Sequence, residues 1–273
     1  MSVVLMYHAL YRGEDTTAID QEDLPYAVSE ANFIAQLDLL KAKNVGLFDS
    51  DSSVPDIIIT FDDGHQSNLD IAAPLLQARG MSAYFFITSN FIDQRSGFMS
   101  GEQLRRLAQM PGMSIGSHGV THQFFDDLTV DESRTELVDS RTHLELLTGM
   151  SCQSISFPGG RYNEQTLDLL KAAGYRQWFG SEIGTVSEAL CFNSPETPSV
   201  DIDEQTLLVQ QQQNPISRVA VRRNTTLEEF ERMTRPDESY FRRHRRRGQI
   251  KLLVRRLLGN RLYHGLYKIL SAR

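Results

Sequence analysis

At 273 residues, 40% hydrophobic and 23% charged, the chain has the make-up of one large globular α/β domain rather than two small ones. Eleven of its 28 Lys and Arg fall in residues 241–273, which hold none of its 35 Asp and Glu, so the body carries −18 and the tail +11. No segment approaches the roughly 20 apolar residues of a membrane-spanning helix, and Met1–His8 lacks the basic region and length of a signal peptide, so a cytoplasmic location is expected. In chain order, Val3–Tyr7 predicts a short buried strand, and Ser29–Lys43 a helix with Phe33, Leu37 and Leu40 on one face and Ser29 as N-cap. Asp56–Phe61 reads as a strand, Asn68–Arg79 as a helix and Ala83–Thr88 as a strand. Ser100 with Gln103 forms a capping box for a helix to Gln109, and Met113–Gly116 is a short strand. Thr129 with Glu132 opens a helix to Thr148, Ser154–Phe157 is a strand, and Glu164–Ala173 is a helix closed by Gly174. Tyr175–Phe179 and Ile216–Val221 are the last strands, and Thr226 with Glu229 caps a helix through Met233. Strands alternating with helices imply parallel βαβ units, as a barrel or an open sheet, with the site in loops at the strand C-terminal ends.

The chemistry concentrates at two such ends. Asp62 and Asp63 follow the run Ile57-Ile58-Ile59-Thr60-Phe61, where two adjacent carboxylates repel unless a cation or hydrogen bonds offset them. Read alone, Asp63-Gly64 could equally be an Asp-rich turn. Ser117-His118-Gly119-Val120-Thr121-His122 adds two imidazoles at i and i+4, which face one way if the segment is a helical turn. One carboxylate and two imidazoles suit a divalent ion, with Zn2+ the best match and Co2+, Ni2+ or Fe2+ also fitting. The other carboxylate is then free to act as a base on water. Cys152 and Cys191 sit far apart with no CxxC, and are expected to be two reduced, packed thiols.

These motifs resemble those of the polysaccharide deacetylase family, carbohydrate esterase family four. Thr60-Phe61-Asp62-Asp63-Gly64 matches its first motif and Ser117–His122 its second. Phe157-Pro158-Gly159-Gly160-Arg161-Tyr162-Asn163 matches part of its third, and the resemblance runs from Val3 to Met233. It implies a distorted (β/α) barrel of seven or so parallel strands and hydrolysis of an acetyl group on a sugar. Residue by residue, it implies Asp63, His118 and His122 as metal ligands and Asp62 as general base. The third motif usually carries an Arg two residues before the Pro, where this chain has Ser156; either Arg161 or another group then orients Asp62, or Asp62 is tuned differently. The usual C-terminal catalytic His is also missing, since Ile216–Val221 contains none. Tyr7-His8 is similar instead to a subgroup related to bacterial poly-N-acetylglucosamine deacetylases, which implies His8 as the acid for the leaving amine. Phe157, Pro158, Arg161 and Trp178 are expected to contact substrate, although strand aromatics are more often core.

Residues 1–238 are thus expected to form the catalytic domain and 239–273 a basic amphipathic helix. In the tail Ile250, Leu253, Val254, Leu257, Leu258, Leu262, Leu266 and Leu270 recur at helical spacing among Lys and Arg. That pattern suits an anionic membrane surface better than nucleic acid, with docking on the acidic body the competing expectation. The expected function is metal-dependent N-deacetylation of a surface polysaccharide, lipopolysaccharide or lipid-linked glycan. Hydrolysis of a non-sugar amide, or silent glycan binding, are the alternatives.

Overall fold

The computed structural model describes residues 1–48, 55–186, 214–235, 237 and 239–243. The chain divides into two compact units, Met1–Pro236 and Asp237–Arg273. Of the second, only the helical turn 239–243 and residue 237 are described, so the expected amphipathic helix lies outside the described residues, as does Cys191.

In the first unit β1 (Val3–Tyr7), β4 (Ile57–Phe61), β5 (Ala83–Ile87), β6 (Met113–Ser117), β7 (Ser154–Ser156), β8 (Gln177–Phe179) and β9 (Val219–Ala220) form one seven-stranded sheet. Its order is β8-β7-β6-β5-β4-β1-β9 and every pairing is parallel. The two ends of the sheet meet. Ile216 N–H donates to Trp178 C=O at 2.8 Å and Gly180 N–H donates to Ile216 C=O at 3.0 Å, three residues before β9 joins β1. The result is the distorted (β/α) barrel expected, closed by a narrow seam, with only Val219–Ala220 of the predicted strand 216–221 in regular pairing. A separate parallel pair, β2 (Leu10–Tyr11) with β3 (Val28–Ser29), was not foreseen in the sequence.

Alternation along the strands sorts the barrel into two layers. Val4, Ile58, Tyr84, Phe86 and Phe179 point inward and fill its floor with Phe48, Val186 and Ile216. Tyr7, Phe61 and Phe85 point outward, where Phe61 stacks on Phe85 at 5.0 Å and Phe33 of α1 (Glu30–Leu39) meets Tyr7 at 5.3 Å. Burying each such apolar ring contributes about 1.5–3 kcal/mol. The helix starts follow the sequence. Ser29 caps α1, and Ser100 and Thr129 make full capping boxes for α3 (Gly101–Ala108) and α4 (Val130–Thr148). Thr226 caps α6 (Leu227–Met233), and Asn163 with Thr166 makes a further box for α5 (Glu164–Ala172).

The predicted helix 68–79 differs in kind. It opens as a π-turn, Asn68–Ala72, before α2 (Ala73–Gln77). Pro74 has no N–H, so the Asp70 carbonyl loses its helical donor, and Arg12 supplies one at 3.0 Å.

Candidate active site

Residues 58, 60 and 62 continue one inward row from β4, which carries the Asp62 side chain into the upper barrel. There it is only 3% exposed. Asp63 cannot continue the alternation: its φ is +74°, a left-handed conformation costly for a non-glycine residue, and it swings its carboxylate to the same mouth. Gly64 follows at φ +86°, close against Ile87.

His118 and His122 reach Asp63 by a route different from the one expected. Residues 118–122 form a loop, not a helical turn, and His122 also has a left-handed φ of +64°. The loop is held from below by Glu136 of α4. The buried Glu136 carboxylate accepts from Val120 N–H at 2.6 Å, Thr121 N–H at 3.0 Å and Thr121 Oγ1 at 2.6 Å. Gly119, at φ +79°, leaves room for it: a Cβ there would stand 2.7 Å from Glu136 Oε2. On its other side the loop accepts from Ser89 and Asn90 N–H through the carbonyls of Gly119 and Val120.

One ligand atom each from Asp63, His118 and His122 lies within 4.8 Å of the others. The two Nε2 atoms stand 3.3 and 3.2 Å from Asp63 Oδ1. His118 Nδ1, 2.8 Å from the Ser156 carbonyl, donates to it, so the neutral form of the ring presents the lone pair of Nε2 to the carboxylate. Asp63 Oδ1 is accordingly buried with no hydrogen-bond partner. Facing acceptors at this spacing call for a cation between them. Ligand atoms around a tetrahedral ion, each about 2.0–2.1 Å from it, stand about 3.3 Å apart, so the donor set fits zinc. Burial opposes charge on both Asp63 and His122, yet proximity to the imidazoles draws the Asp63 carboxyl well below the usual range and Asp63 lifts His122 above its own: the carboxylate demands a positive partner, either a proton on the imidazoles or a cation in its place.

Asp62 does not join this group; it is gripped by Arg218. Nη1 donates to Oδ1 at 2.7 Å and Nη2 to Oδ2 at 2.8 Å. The other donors of this guanidinium reach Gly180 C=O, Thr60 Oγ1 and Ser156 Oγ, so all five N–H groups are used in a side chain 1% exposed. Ser156 Oγ also donates to Asp62 Oδ2 at 3.2 Å. Burial pushes the Asp62 carboxyl up, but Arg218 and then His118 outweigh it and leave it below the ordinary range. Arg218 therefore occupies the role expected of a third-motif Arg, with Ser156 making room for it. Sequence reasoning searched 216–221 for a histidine and passed over this arginine. Arg161 does not orient Asp62: it pairs with Asp126 and Asp127 and lies 4.4 Å over the Phe124 ring.

His8, at the end of β1, is half-buried with Nδ1 enclosed and unpartnered. Asn68 Nδ2 donates to its carbonyl at 2.8 Å, and its ring lies 4.8 Å from Tyr26. His8 lines one crevice with Asp63, Asp23 and His65. Asp23, unforeseen in the sequence, has its carboxyl raised by burial and by Asp63. Of the residues expected to contact substrate, Phe157, Pro158 and Trp178 are buried. Phe157 packs on Phe125 and Tyr162, and strand alternation sets Trp178 on the face opposite the inward Phe179. Cys152 is a buried free thiol, pushed up by its burial to about 12.

Residues 49–178 match the family model for polysaccharide deacetylase. Over 185 residues the chain is 30% identical to "Putative polysaccharide deacetylase YxkH" of Bacillus subtilis (strain 168), an alignment covering 67% of this chain and 66% of that protein. The fold is similar to that of the Streptococcus pyogenes deacetylase PplD in complex with acetate, with a TM-score of 0.68 at 21% identity over 86% of this chain and 98% of the other. It is also similar to a de-N-acetylase from Aggregatibacter actinomycetemcomitans, with a TM-score of 0.65 at 16% identity over 85% and 99% of the two chains. At these identities the structural likeness bears on the fold alone.

Proposed function

The chain belongs to the polysaccharide deacetylase family, and from that premise we propose that it is a metal-dependent hydrolase removing an N-acetyl group from a carbohydrate. The observation that carries this reading is the convergence of Asp63, His118 and His122 on one point, with Asp62 held ionised beside them. A divalent ion at that point supplies Lewis acidity, polarising the acetyl carbonyl and acidifying a water, which is what lets so weak a base as Asp62 suffice.

The chain's own residues do the rest. Asp62, fixed by Arg218, accepts the proton of the water whose oxygen adds to the carbonyl carbon. His118 keeps its orientation through the Ser156 carbonyl. As the C–N bond breaks, His8 gives a proton to the departing amine, so that acetate and a free amino sugar leave. We also place the substrate at an anionic membrane surface on the cytoplasmic side, reached by residues 241–273.

Acetate release from N-acetylated chitooligosaccharides, with metal content measured alongside, tests the chemistry. Asp62→Asn is expected to lower kcat by about 100-fold or more while keeping one metal per chain. Full turnover in that variant would remove Asp62 from the mechanism. Bound metal without acetate release from any sugar would point to a different amide substrate.

A further inference from the structure

Several arginines of the first unit lie over aromatic rings, among them Arg95 on Phe91 and Phe98, Arg161 on Phe124, Arg222 on Tyr26 and Arg223 on Tyr11. Arg95 is neutralised by Asp20 and Asp23, and Arg161 by Asp126 and Asp127. Arg222 is different. Among the described residues its side chain has neither an acidic partner nor a hydrogen bond; only its backbone is engaged, the N–H donating to Thr225 Oγ1 at 2.9 Å and the carbonyl accepting from Thr225 N–H at 3.0 Å. It does so in a body with 35 acidic residues against 17 basic ones, where carboxylates are in surplus. Arg223 also lacks a carboxylate, but it is exposed and solvated, whereas Arg222 is half-buried.

The position of Arg222 is fixed and close to the chemistry. Val221 N–H donates to Met6 C=O and Arg223 N–H to Pro25 C=O, which pins the backbone on both sides. The Arg222 Cζ sits 4.8 Å from the centre of the Tyr26 ring, and the His8 ring lies 4.8 Å from that same ring. One aromatic ring thus separates a half-desolvated guanidinium from the residue assigned to protonate the leaving amine. Contact with the ring uses none of the guanidinium N–H groups, which stay able to bind a planar or tetrahedral oxyanion.

We propose that Arg222 binds an anionic group, a phosphate ester or a carboxylate, carried by the N-acetylated sugar substrate beside the scissile amide. This rests on the deacetylase reading above and narrows it to an anionic substrate class.

The test uses full-length, metal-loaded protein and calorimetric binding of three probes: neutral N-acetylchitobiose, N-acetylglucosamine 1-phosphate, and N-acetylglucosamine linked to a uronic acid. At least one anionic probe is expected to bind about tenfold more tightly than the neutral one, the gain of a charge-assisted contact. Whichever gains more identifies the group as phosphate or carboxylate. Arg222→Met is expected to reduce that advantage to below about twofold, and Arg222→Lys to keep part of it, since charge remains and the planar fork is lost. Equal affinities in the native protein overturn the proposal. So does an advantage that survives Arg222→Met, which would put the anion on the metal, or an equal loss for neutral and anionic probes, which would make Arg222 structural. Acetate release is scored separately: Arg222-dependent anion binding without release would defeat the deacetylase reading while keeping Arg222 as an anion site.

Discussion

Asp62 is an ionised carboxylate with 3% exposure, and one side chain 156 residues away makes that tolerable. Removing that partner leaves a buried charge uncompensated. Arg218→Met is therefore expected to cost about 3–5 kcal/mol in denaturant unfolding, with Asp62→Asn added on top restoring part of it. The pH dependence follows from the direction of the shift. A carboxyl held below its unfolded value, about 3.9, contributes stability that is present above that pH and lost as the pH falls through the folded value. In Arg218→Met, burial acts with far less opposition, the carboxyl rises, and Asp62 becomes destabilising as the pH climbs toward neutral. The gap in Tm between native protein and variant should thus narrow on acidification from pH 7 to below about 4; a constant gap would mean that Asp62 is not the group involved. The acidic pair was legible because its members are adjacent. Their division of labour was supplied by resemblance, and Arg218 by neither, because no local pattern marks a contact made across the whole chain.

At the scale of elements, capping chemistry read well: Ser29, Ser100, Thr129 and Thr226 each stand where their helices begin. Those signals are contained within four residues and do not depend on tertiary context. Asn163 escaped notice because its partner at the third helical position is Thr166 rather than Glu or Gln. The histidine segment misled for the opposite reason. Spacing of four suggested a helical face, but the geometry of 118–122 is imposed from outside by Glu136 and permitted by Gly119. Glu136→Ala should consequently free that loop and weaken metal binding by about 10–100-fold, the usual effect of losing a group that orients a ligand. Competition with a chromophoric chelator would measure it. Affinity unchanged in the variant would show that the loop holds itself.

For the whole molecule, alternating strands and helices implied parallel units but left barrel and open sheet undecided. The decision rests on the short seam at Ile216, too brief to stand out in any periodicity. Charge asymmetry, by contrast, is visible only at this scale, with +11 on residues 241–273 and −18 on the rest. About 1 kcal/mol per basic group near an anionic surface makes reversible binding the expected outcome for the full chain. Flotation with anionic liposomes should recover the intact protein and lose it on deletion of 241–273; equal recovery of both would remove the tail from membrane contact.

The seam that brings Arg218 to Asp62 also sets a clock on the enzyme's birth. During synthesis both carboxylates and both histidines have been made by residue 122, nearly a hundred residues before the arginine that grips Asp62. A nascent chain paused in that interval would hold the ingredients of the site around an open sheet, with Asp62 still hydrated and untethered. Completion of the site waits for the far end of the domain to dock, so it would arrive in one late step rather than accumulate as the chain lengthens.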